Sequence, residues 1–394
     1  MRYNRDPMSA EKPLRSRREL LAGIAGTVAV SAFGPACKRR QSGITVGLYC
    51  SLTGAQADFG ISTKNGASLA FDEVNGRGGL LGQQLRLVAE DTRGDSNEAT
   101  SAVTRLIDRE GVVAVLGEIA STLSLAGGRV CQRRHIPMVS PSSTNPAVTQ
   151  LGDYVFRVCF IDPFQGDVMA RFAKNSLHFE RVAIFKDQAA AYSVGLADAF
   201  RQSFTRIGGT VVDEQVYRSG ETHFSAQITS MLGHQPQAIF VPGYYTEVAL
   251  IAREARGAGF QGRFLGGDGW SGPSITQNDD DKLVGDFFSE GFAPEGATTP
   301  VAQDFVRRYR ERYHTDPNGL AALGYDAALV LFDAIRRAGS AEPARIRAAL
   351  AATRDVQGAT GVITLNENRD AVKSAVILEV TSNGFRYHQT VAPQ

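Results

Sequence analysis

The chain has few of the residues that build metal sites and disulfide frameworks. Its four cysteines, Cys37, Cys50, Cys131 and Cys159, include no C-x-x-C pair, and its six histidines include no His-x-x-x-His pair. Neither spacing typical of a zinc site is therefore present. We expect no metal and no cofactor, and the last three cysteines allow at most one internal disulfide.

The chain also lacks an excess of charge of either sign. It carries 42 basic and 41 acidic residues, a formal charge of +1, and the basic surplus lies within residues 1–36. Nucleic acids and anionic membranes are bound by clustered positive charge. We therefore expect no nucleic-acid partner for the body of the protein.

Only the N-terminus contains a long apolar run. Arg15, Arg17 and Arg18 precede "LLAGIAGTVAVSAFGPA", and this order is typical of an export signal over residues 1–36. "SRRELL" is similar to the twin-arginine export motif, and "GPAC" resembles a lipobox ending at Cys37. Two alternatives stay open, a lipid anchor on Cys37 or ordinary cleavage nearby, and both predict a periplasmic or extracytoplasmic protein.

From Ile44 onward, short β-branched runs alternate with longer amphipathic stretches, which indicates βα units and mainly parallel sheets. "ITVGLYC", "LRLVAED", "VVAVLGE" and "IPMVS" predict four strands, and the pattern restarts with "RVAIFKD", "TVVDEQVY" and "QAIFVPG". We predict two α/β lobes of similar build. Helices continue after the second set of strands, so we expect the lobes to be joined by more than one crossing.

Loops rich in Ser, Thr, Tyr and Gly follow several of these strands. They read "CSLTGAQADFG", "GEIASTLS", "SPSSTNP", "KDQAAAYS", "PGYYTE" and "GGDGW". The carboxyl ends of parallel strands are the usual ligand crevice of such folds. Hydroxyls and backbone N–H groups at helix starts suit a carboxylate, and Asp268 suits an ammonium group.

The order and spacing of these motifs over residues 44–390 resemble the leucine/isoleucine/valine-binding proteins, which are periplasmic solute receptors of ABC importers. The similarity rests on "NGASLAFDEVNGRGGLLGQQLRLVAEDT", "VLGEIASTLSLA", "IPMVSPSSTNPAVT" and "VPGYYTEVA". It implies the type I periplasmic binding fold, two Rossmann-like lobes joined by a three-strand hinge, with hinge strands near 157–163, 287–293 and 363–377. The N-terminal lobe would hold residues 44–160 and 290–364, and the C-terminal lobe 161–289 and 365–390.

The resemblance also implies a set of ligand-binding residues. The ligand's α-carboxylate would be held by hydroxyls of the first lobe, at Ser121, Thr122, Ser142, Ser143 and Thr144. The ammonium would meet Asp268, which is one carbon shorter than the glutamate common in branched-chain binders. The pocket would be closed by aromatic side chains, at Tyr192, Tyr244, Phe59 and Trp270. Ser121 or Thr122 has a second interpretation as a helix cap, and Glu118 lies near the same crevice.

The implied function is capture of a small amino acid, branched-chain or related, by hinge closure, and its delivery by a monomer to an ABC permease. One alternative is a receptor module that senses amides, urea or aromatic carboxylates. An enzyme is the remote alternative, because "GRGGLLG" follows a helix and precedes a strand, the reverse of a dinucleotide site. The chain also has no G-x-S-x-G elbow and no G-x-x-x-x-G-K-[ST] loop.

Overall fold

The computed structural model of the protein describes residues 43–272, 274–277 and 281–393. The predicted export signal and Cys37 lie outside these residues. Within them, no helix has both the length and the apolar character needed to cross a membrane.

The first part of the described chain alternates strands with helices. Its elements are β1 (Ile44–Cys50), α1 (Ala57–Gly76), β2 (Leu85–Asp91), α2 (Ser96–Asp108), β3 (Ala114–Leu116), α3 (Ser121–Arg134), β4 (Met138–Ser140) and β5 (Val155–Arg157). All five strands are parallel and lie in the order β2-β1-β3-β4-β5. We call this sheet and the helices packed on it the first lobe.

The alternation then restarts and builds a second sheet. Its elements are α4 (Asp162–Arg171), β6 (Arg181–Asp187), α5 (Ala191–Arg206), β7 (Thr210–Tyr217), α6 (Ser225–Gly233), β8 (Ala238–Phe240), α7 (Tyr245–Gly257), β9 (Arg263–Gly266), α8 (Ser274–Gln277) and β10 (Phe287–Glu290). These five strands are parallel to one another. We call this sheet and its helices the second lobe.

The remaining elements divide between the two lobes. They are α9 (Pro300–Tyr313), α10 (Gly319–Ala338), α11 (Pro343–Ala351), β11 (Val356–Gly358), β12 (Gly361–Ile363), β13 (Ala375–Thr381) and β14 (Gly384–Val391). β13 and β14 add an antiparallel hairpin to the second sheet, giving the order β14-β13-β10-β9-β8-β6-β7. The second sheet is therefore mixed, although its first five strands follow the predicted parallel pattern.

Helix α10 returns the chain to the first lobe and packs closely on α1. A Cβ on Gly66 would lie 1.8 Å from the carbonyl oxygen of Ala321, and one on Gly324 would lie 2.3 Å from that of Thr63. The chain thus passes between the sheets three times, after β5, after β10 and between β12 and β13. The exact lobe boundaries stay a prediction.

The starts of helices α2 and α1 have clear physical causes. Asp95 caps α2, because its side chain accepts from the N–H groups of Asn97 and Glu98. Helix α1 begins at Ala57, so Gly60 lies within its first turn. Gly60, which helices disfavour, allows this start because a Cβ there would meet the carbonyl oxygen of Ser51 at 1.9 Å.

The three cysteines of the described chain are all buried and free. Burial raises the pKa of Cys131 and of Cys159 to about 12 and the pKa of Cys50 well above its ordinary value. The one internal disulfide that the sequence allowed is therefore not formed among them.

Candidate functional site

A narrow cavity lies between the two lobes, where strands of both sheets end. It has an empty volume of about 240 Å³. The lining residues are Phe59, Ile119, Ser121, Ser142, Tyr192, Tyr244, Asp268, Gly269 and Leu320. Six of the ten predicted ligand-binding residues are thus brought together at the predicted edge of the sheets.

The first lobe contributes hydroxyl groups. Ser121 is the first residue of α3, and the interpretation of Ser121 or Thr122 as its cap is wrong, because the N-cap is Ala120 and no side chain caps the helix. The Ser121 hydroxyl instead accepts a 3.2 Å hydrogen bond from the N–H of Asn145, so its own proton is free to point elsewhere. Ser142 is buried, and its hydroxyl has no hydrogen-bond partner among the described residues.

Ser143 and Thr144 do not line the cavity. The Ser143 hydroxyl donates to the carbonyl oxygens of Glu118 and Ile119, at 3.0 and 2.8 Å. Thr144 is buried, and its carbonyl oxygen accepts from the N–H of Asp162 at 2.9 Å. Both residues therefore join loops to one another, and a role in ligand binding stays a prediction for them.

Glu118 lies behind the cavity wall rather than in it. Its carboxylate accepts from the hydroxyls of Ser51 and Thr92, at 3.1 and 2.9 Å, and from the N–H of Ala120 at 2.7 Å. Burial raises its pKa to about 7, although these hydrogen bonds lower it. Because it bonds to the residue just before Ser121, Glu118 fixes the start of α3 from inside the first lobe.

The second lobe contributes an acid. Asp268 follows β9, and its Oδ1 accepts a 2.9 Å hydrogen bond from the Nε2 of Gln165. Burial raises its pKa to about 6, against hydrogen bonds from the side chains of Gln165 and Tyr192 that lower it. Burial raises the pKa of Asp162 and Glu290 further, to about 8 each. Asp268 is therefore the one of these three acids that ionises most readily at neutral pH.

Aromatic rings enclose the cavity beside this acid. Tyr192 and Tyr244 are stacked with centroids 5.3 Å apart, and Phe59 of the first lobe meets Tyr244 edge-on at 5.9 Å and Tyr245 at 4.8 Å. The Tyr192 hydroxyl accepts from the N–H of Gly269 at 3.0 Å, which ties the ring to the Asp268 loop. Phe59 lies on the first turn of α1, not in the preceding loop.

Direct hydrogen bonds join the lobes around the cavity. Thr122 does not line it, but its hydroxyl accepts from the N–H of Ala191 at 3.0 Å, and the Asn145 side chain donates to the Ala191 carbonyl oxygen at 2.7 Å. On another side, the Thr246 hydroxyl donates to the carbonyl oxygen of Ala55 at 3.1 Å. These contacts require the lobes to be close, so the structure represents a closed state.

Trp270 lies in the second lobe, away from the cavity. Its Nε1–H donates to the carbonyl oxygen of Val241 at 2.9 Å, and its ring lies 6.0 Å from that of Phe288. Its side chain is wholly buried there. The indole therefore packs behind the Asp268 loop, and the predicted pocket wall is formed without it.

Four residues of the site have no counterpart in the sequence-based prediction. The cavity is lined by Ile119, Gly269 and Leu320, and Gln165 holds Asp268. Ile119 lies between two predicted site positions, so the "GEIASTLS" loop contained a signal for it. Leu320 and Gln165 belong to helices whose approach to the cavity depends on the path of the chain between lobes, and no local pattern reports that path.

Known proteins resemble the chain over nearly all of its described length. The sequence model of the family described as "Periplasmic binding protein" matches residues 43–385. A Leu/Ile/Val-binding protein, BraC3 of Rhizobium johnstonii, is 30% identical over 353 residues, which cover 89% of this chain and 94% of the relative.

Solved structures give the same result. A leucine-binding protein, LivK of Thermotoga maritima, has a TM-score of 0.86 and 41% identity over 89% of this chain and 99% of its own. LivJ of Streptococcus pneumoniae, in complex with isoleucine, has a TM-score of 0.84 and 31% identity over 89% of this chain and 100% of its own.

These matches support the type I periplasmic binding fold and a solute-binding protein of the ABC-transporter class, not an enzyme. An extracytoplasmic location follows from the same matches. The chain belongs to the periplasmic binding protein family.

Proposed function

We propose that the protein binds a small aliphatic L-amino acid of the branched-chain type between its lobes and delivers it to an ABC permease. The observation that carries the proposal is the polarity of the cavity. Hydroxyl groups of the first lobe face it from one side, the carboxylate of Asp268 faces it from the other, and Phe59, Ile119 and Leu320 supply apolar surface.

The first-lobe side suits a carboxylate. Ser121 stands at the N-terminus of α3, where the helix dipole favours negative charge, and its hydroxyl already accepts a hydrogen bond from Asn145. The hydroxyl of Ser142 is buried without a partner among the described residues. A buried polar group without a partner is costly, so a ligand oxygen that accepts from this hydroxyl would be stabilising.

The second-lobe side suits an ammonium group. An ionised Asp268 would pair with it at low dielectric, and the neighbouring tyrosines would exclude water from the pair. The relatives named as Leu/Ile/Val-binding and the LivJ complex with isoleucine support the aliphatic preference.

Calorimetric titration tests the ligand. Protein that has been unfolded, washed and refolded would be titrated with the amino acids, short amides, urea and benzoate. L-leucine, 4-methylpentanoate and 3-methylbutylamine form a matched set, because the second lacks only the ammonium and the third only the carboxylate. We expect L-leucine to bind far more tightly than either. Tight binding of acids that lack an ammonium, without a response to any amino acid, would overturn the proposal.

Delivery to a permease is a separate step with its own test. Deleting the gene should abolish high-affinity uptake of labelled L-leucine by cells, and the wild-type gene should restore uptake. If binding is present but uptake is unchanged, the receptor alternative replaces the transport role.

We further propose that export leaves the protein anchored through a lipidated Cys37, on the strength of "GPAC" at the end of the apolar run. Cys37→Ser should move the protein from the membrane fraction to the periplasmic fraction. An unchanged distribution would favour ordinary cleavage.

A further inference from the structure

Arg157 lies at the end of β5, where the chain first leaves the first lobe, and its side chain is fully buried. Its Nε donates to Asp370 Oδ1 at 2.6 Å. Its Nη1 donates to the carbonyl oxygen of Ser143 at 2.5 Å, and its Nη2 donates to the carbonyl oxygen of Asn145 at 2.9 Å. The Nη2 group also reaches the Thr149 hydroxyl at 2.9 Å.

These bonds fix the segment Ser142–Pro146, which we call the ligand loop because Ser142 lines the cavity. A trans peptide is planar, and its N–H points away from its C=O. With the Ser143 carbonyl turned toward the guanidinium, the N–H of Thr144 must face away from Arg157. The same loop bonds to Ser121 through the N–H of Asn145, so one side chain sets the backbone beside both cavity hydroxyls.

The same arginine also connects two of the three passages between lobes. Asp370 lies on the last passage, between β12 and β13, and also accepts from the Thr149 hydroxyl at 2.8 Å. The backbone N–H of Arg157 donates to the carbonyl oxygen of Arg369 at 3.2 Å. The ligand loop is therefore braced against both hinge passages at one point.

Stability alone does not explain such a group. Burying an arginine and an aspartate costs solvation, and replacing a buried ion pair by apolar residues is often neutral or stabilising. What an apolar pair could not do is hold several carbonyl oxygens in fixed directions, which the planar guanidinium does through its fork of donors.

We propose that Arg157 is a positioning residue for the carboxylate end of the ligand site, which it holds through the ligand loop with Asp370 as its brace. The expected effect of Arg157 on ligand affinity rests on the proposed function. The placement of the loop by Arg157 is testable without any ligand.

Arg256 provides a matched control in the second lobe. It too donates to backbone carbonyl oxygens, those of Phe260 and Gly262 at 3.1 and 2.6 Å, and to a buried aspartate, Asp286, at 3.0 Å. None of these residues lines the cavity. Arg157→Lys and Arg256→Lys therefore remove similar bonds, one set beside the ligand loop and one set away from it.

The experiment measures two quantities on both variants of the full protein. Hydrogen exchange by mass spectrometry reports the amides of Ser143 and Asn145 in the ligand loop, and calorimetry reports the affinity for L-leucine. We expect Arg157→Lys to speed exchange of those amides and to weaken L-leucine binding by about tenfold or more, because a lysine cannot hold several carbonyls at once. Arg256→Lys should leave both within about twofold of wild type.

Unchanged loop exchange or unchanged affinity in Arg157→Lys would overturn the inference, and so would an equal loss of affinity in Arg256→Lys. If Arg157→Lys does not fold, Asp370→Asn takes its place with the same two readouts and the same expected direction. Wild-type protein that binds no L-leucine contradicts the proposed function instead, and the exchange comparison then decides the loop placement alone.

Discussion

The two sides of the cavity are built differently. On the first-lobe side, the loops that carry the small hydroxyl residues are joined by several hydrogen bonds. The Ser143 hydroxyl donates to the two carbonyl oxygens of Glu118 and Ile119 before α3, and the Glu118 carboxylate accepts from the N–H of Ala120. On the second-lobe side, one acid in the loop after β9 and two stacked tyrosines, one of them in α5, face the cavity. Gln165 donates to Asp268, and the N–H of Gly269 donates to the Tyr192 hydroxyl. The first side is preorganised, and the second supplies charge and cover on closure.

Removing the charge of the second side should have the largest effect. Asp268→Asn keeps the shape but leaves a buried ammonium without a counter-charge, so we expect L-leucine affinity to fall by about 2 to 5 kcal/mol in calorimetry. Asp286→Asn removes another buried acid of the second lobe, outside the cavity, and should leave the affinity near wild type. Equal affinity in Asp268→Asn and wild type would contradict the charge assignment.

A pH series sharpens the same assignment. The pKa of Asp268 is raised to about 6 by burial, so below that pH the acid is neutral and cannot pair with an ammonium. Wild-type affinity should fall by about tenfold per pH unit below about 6, as expected for one proton taken up per ligand lost. This dependence should be absent from Asp268→Asn.

On the first-lobe side, the burial of Glu118 should affect the pH dependence of the unfolding free energy. Burial raises the pKa of Glu118 from 4.5 to about 7, so the folded protein favours the neutral acid, and this contribution is lost as pH rises from about 4.5 to 7. The loss amounts to about 3 kcal/mol at about 1.4 kcal/mol per pKa unit. In urea titrations, Glu118→Gln should reduce the fall in unfolding free energy across that window. An equal pH dependence in both proteins would be inconsistent with a buried, titrating Glu118.

A single hydroxyl of the first side should matter less than the acid. Ser142→Ala should weaken L-leucine binding by about 1 to 3 kcal/mol, because a charged acceptor loses a donor. Ser289→Ala is the matched control, since Ser289 is also buried with an unpartnered hydroxyl among the described residues but does not line the cavity. If the two variants have the same affinity, Ser142 does not bind the ligand.

The smallest effect is expected where the two sides meet. The Thr122 hydroxyl accepts from Ala191 across the lobes, so Thr122→Val should cost the closed state about 0.5 to 1.5 kcal/mol, the net worth of one hydrogen bond. Stopped-flow measurements should place most of this loss in faster release of L-leucine. Thr104→Val, within α2, should leave release unchanged, because the Thr104 hydroxyl donates to the carbonyl oxygen of Thr100 in the preceding turn of the same helix. Faster release in both variants would contradict the assignment of the Thr122 effect to the hydrogen bond between the lobes.

The fold and most of the cavity lining were predictable, because strand ends in parallel sheets lie at one edge and their loops are legible in the sequence. Ser142 and Ser143 show where this reasoning stops. They are adjacent and chemically alike, yet one faces the cavity and the other bonds to Glu118 and Ile119. That choice is set by contacts with another loop, as are the roles of Gln165 and Leu320, and local sequence does not encode those contacts.

The buried, unpaired thiols have a practical consequence. Thiols react as thiolates, and Cys50, Cys131 and Cys159 are both shielded from solvent and held protonated by raised pKa values. A cysteine introduced on the rim of the cleft would therefore be labelled selectively by a maleimide dye in protein that lacks Cys37, without first removing the native thiols. The fold is thus suited to conversion into a fluorescent sensor for its own ligand.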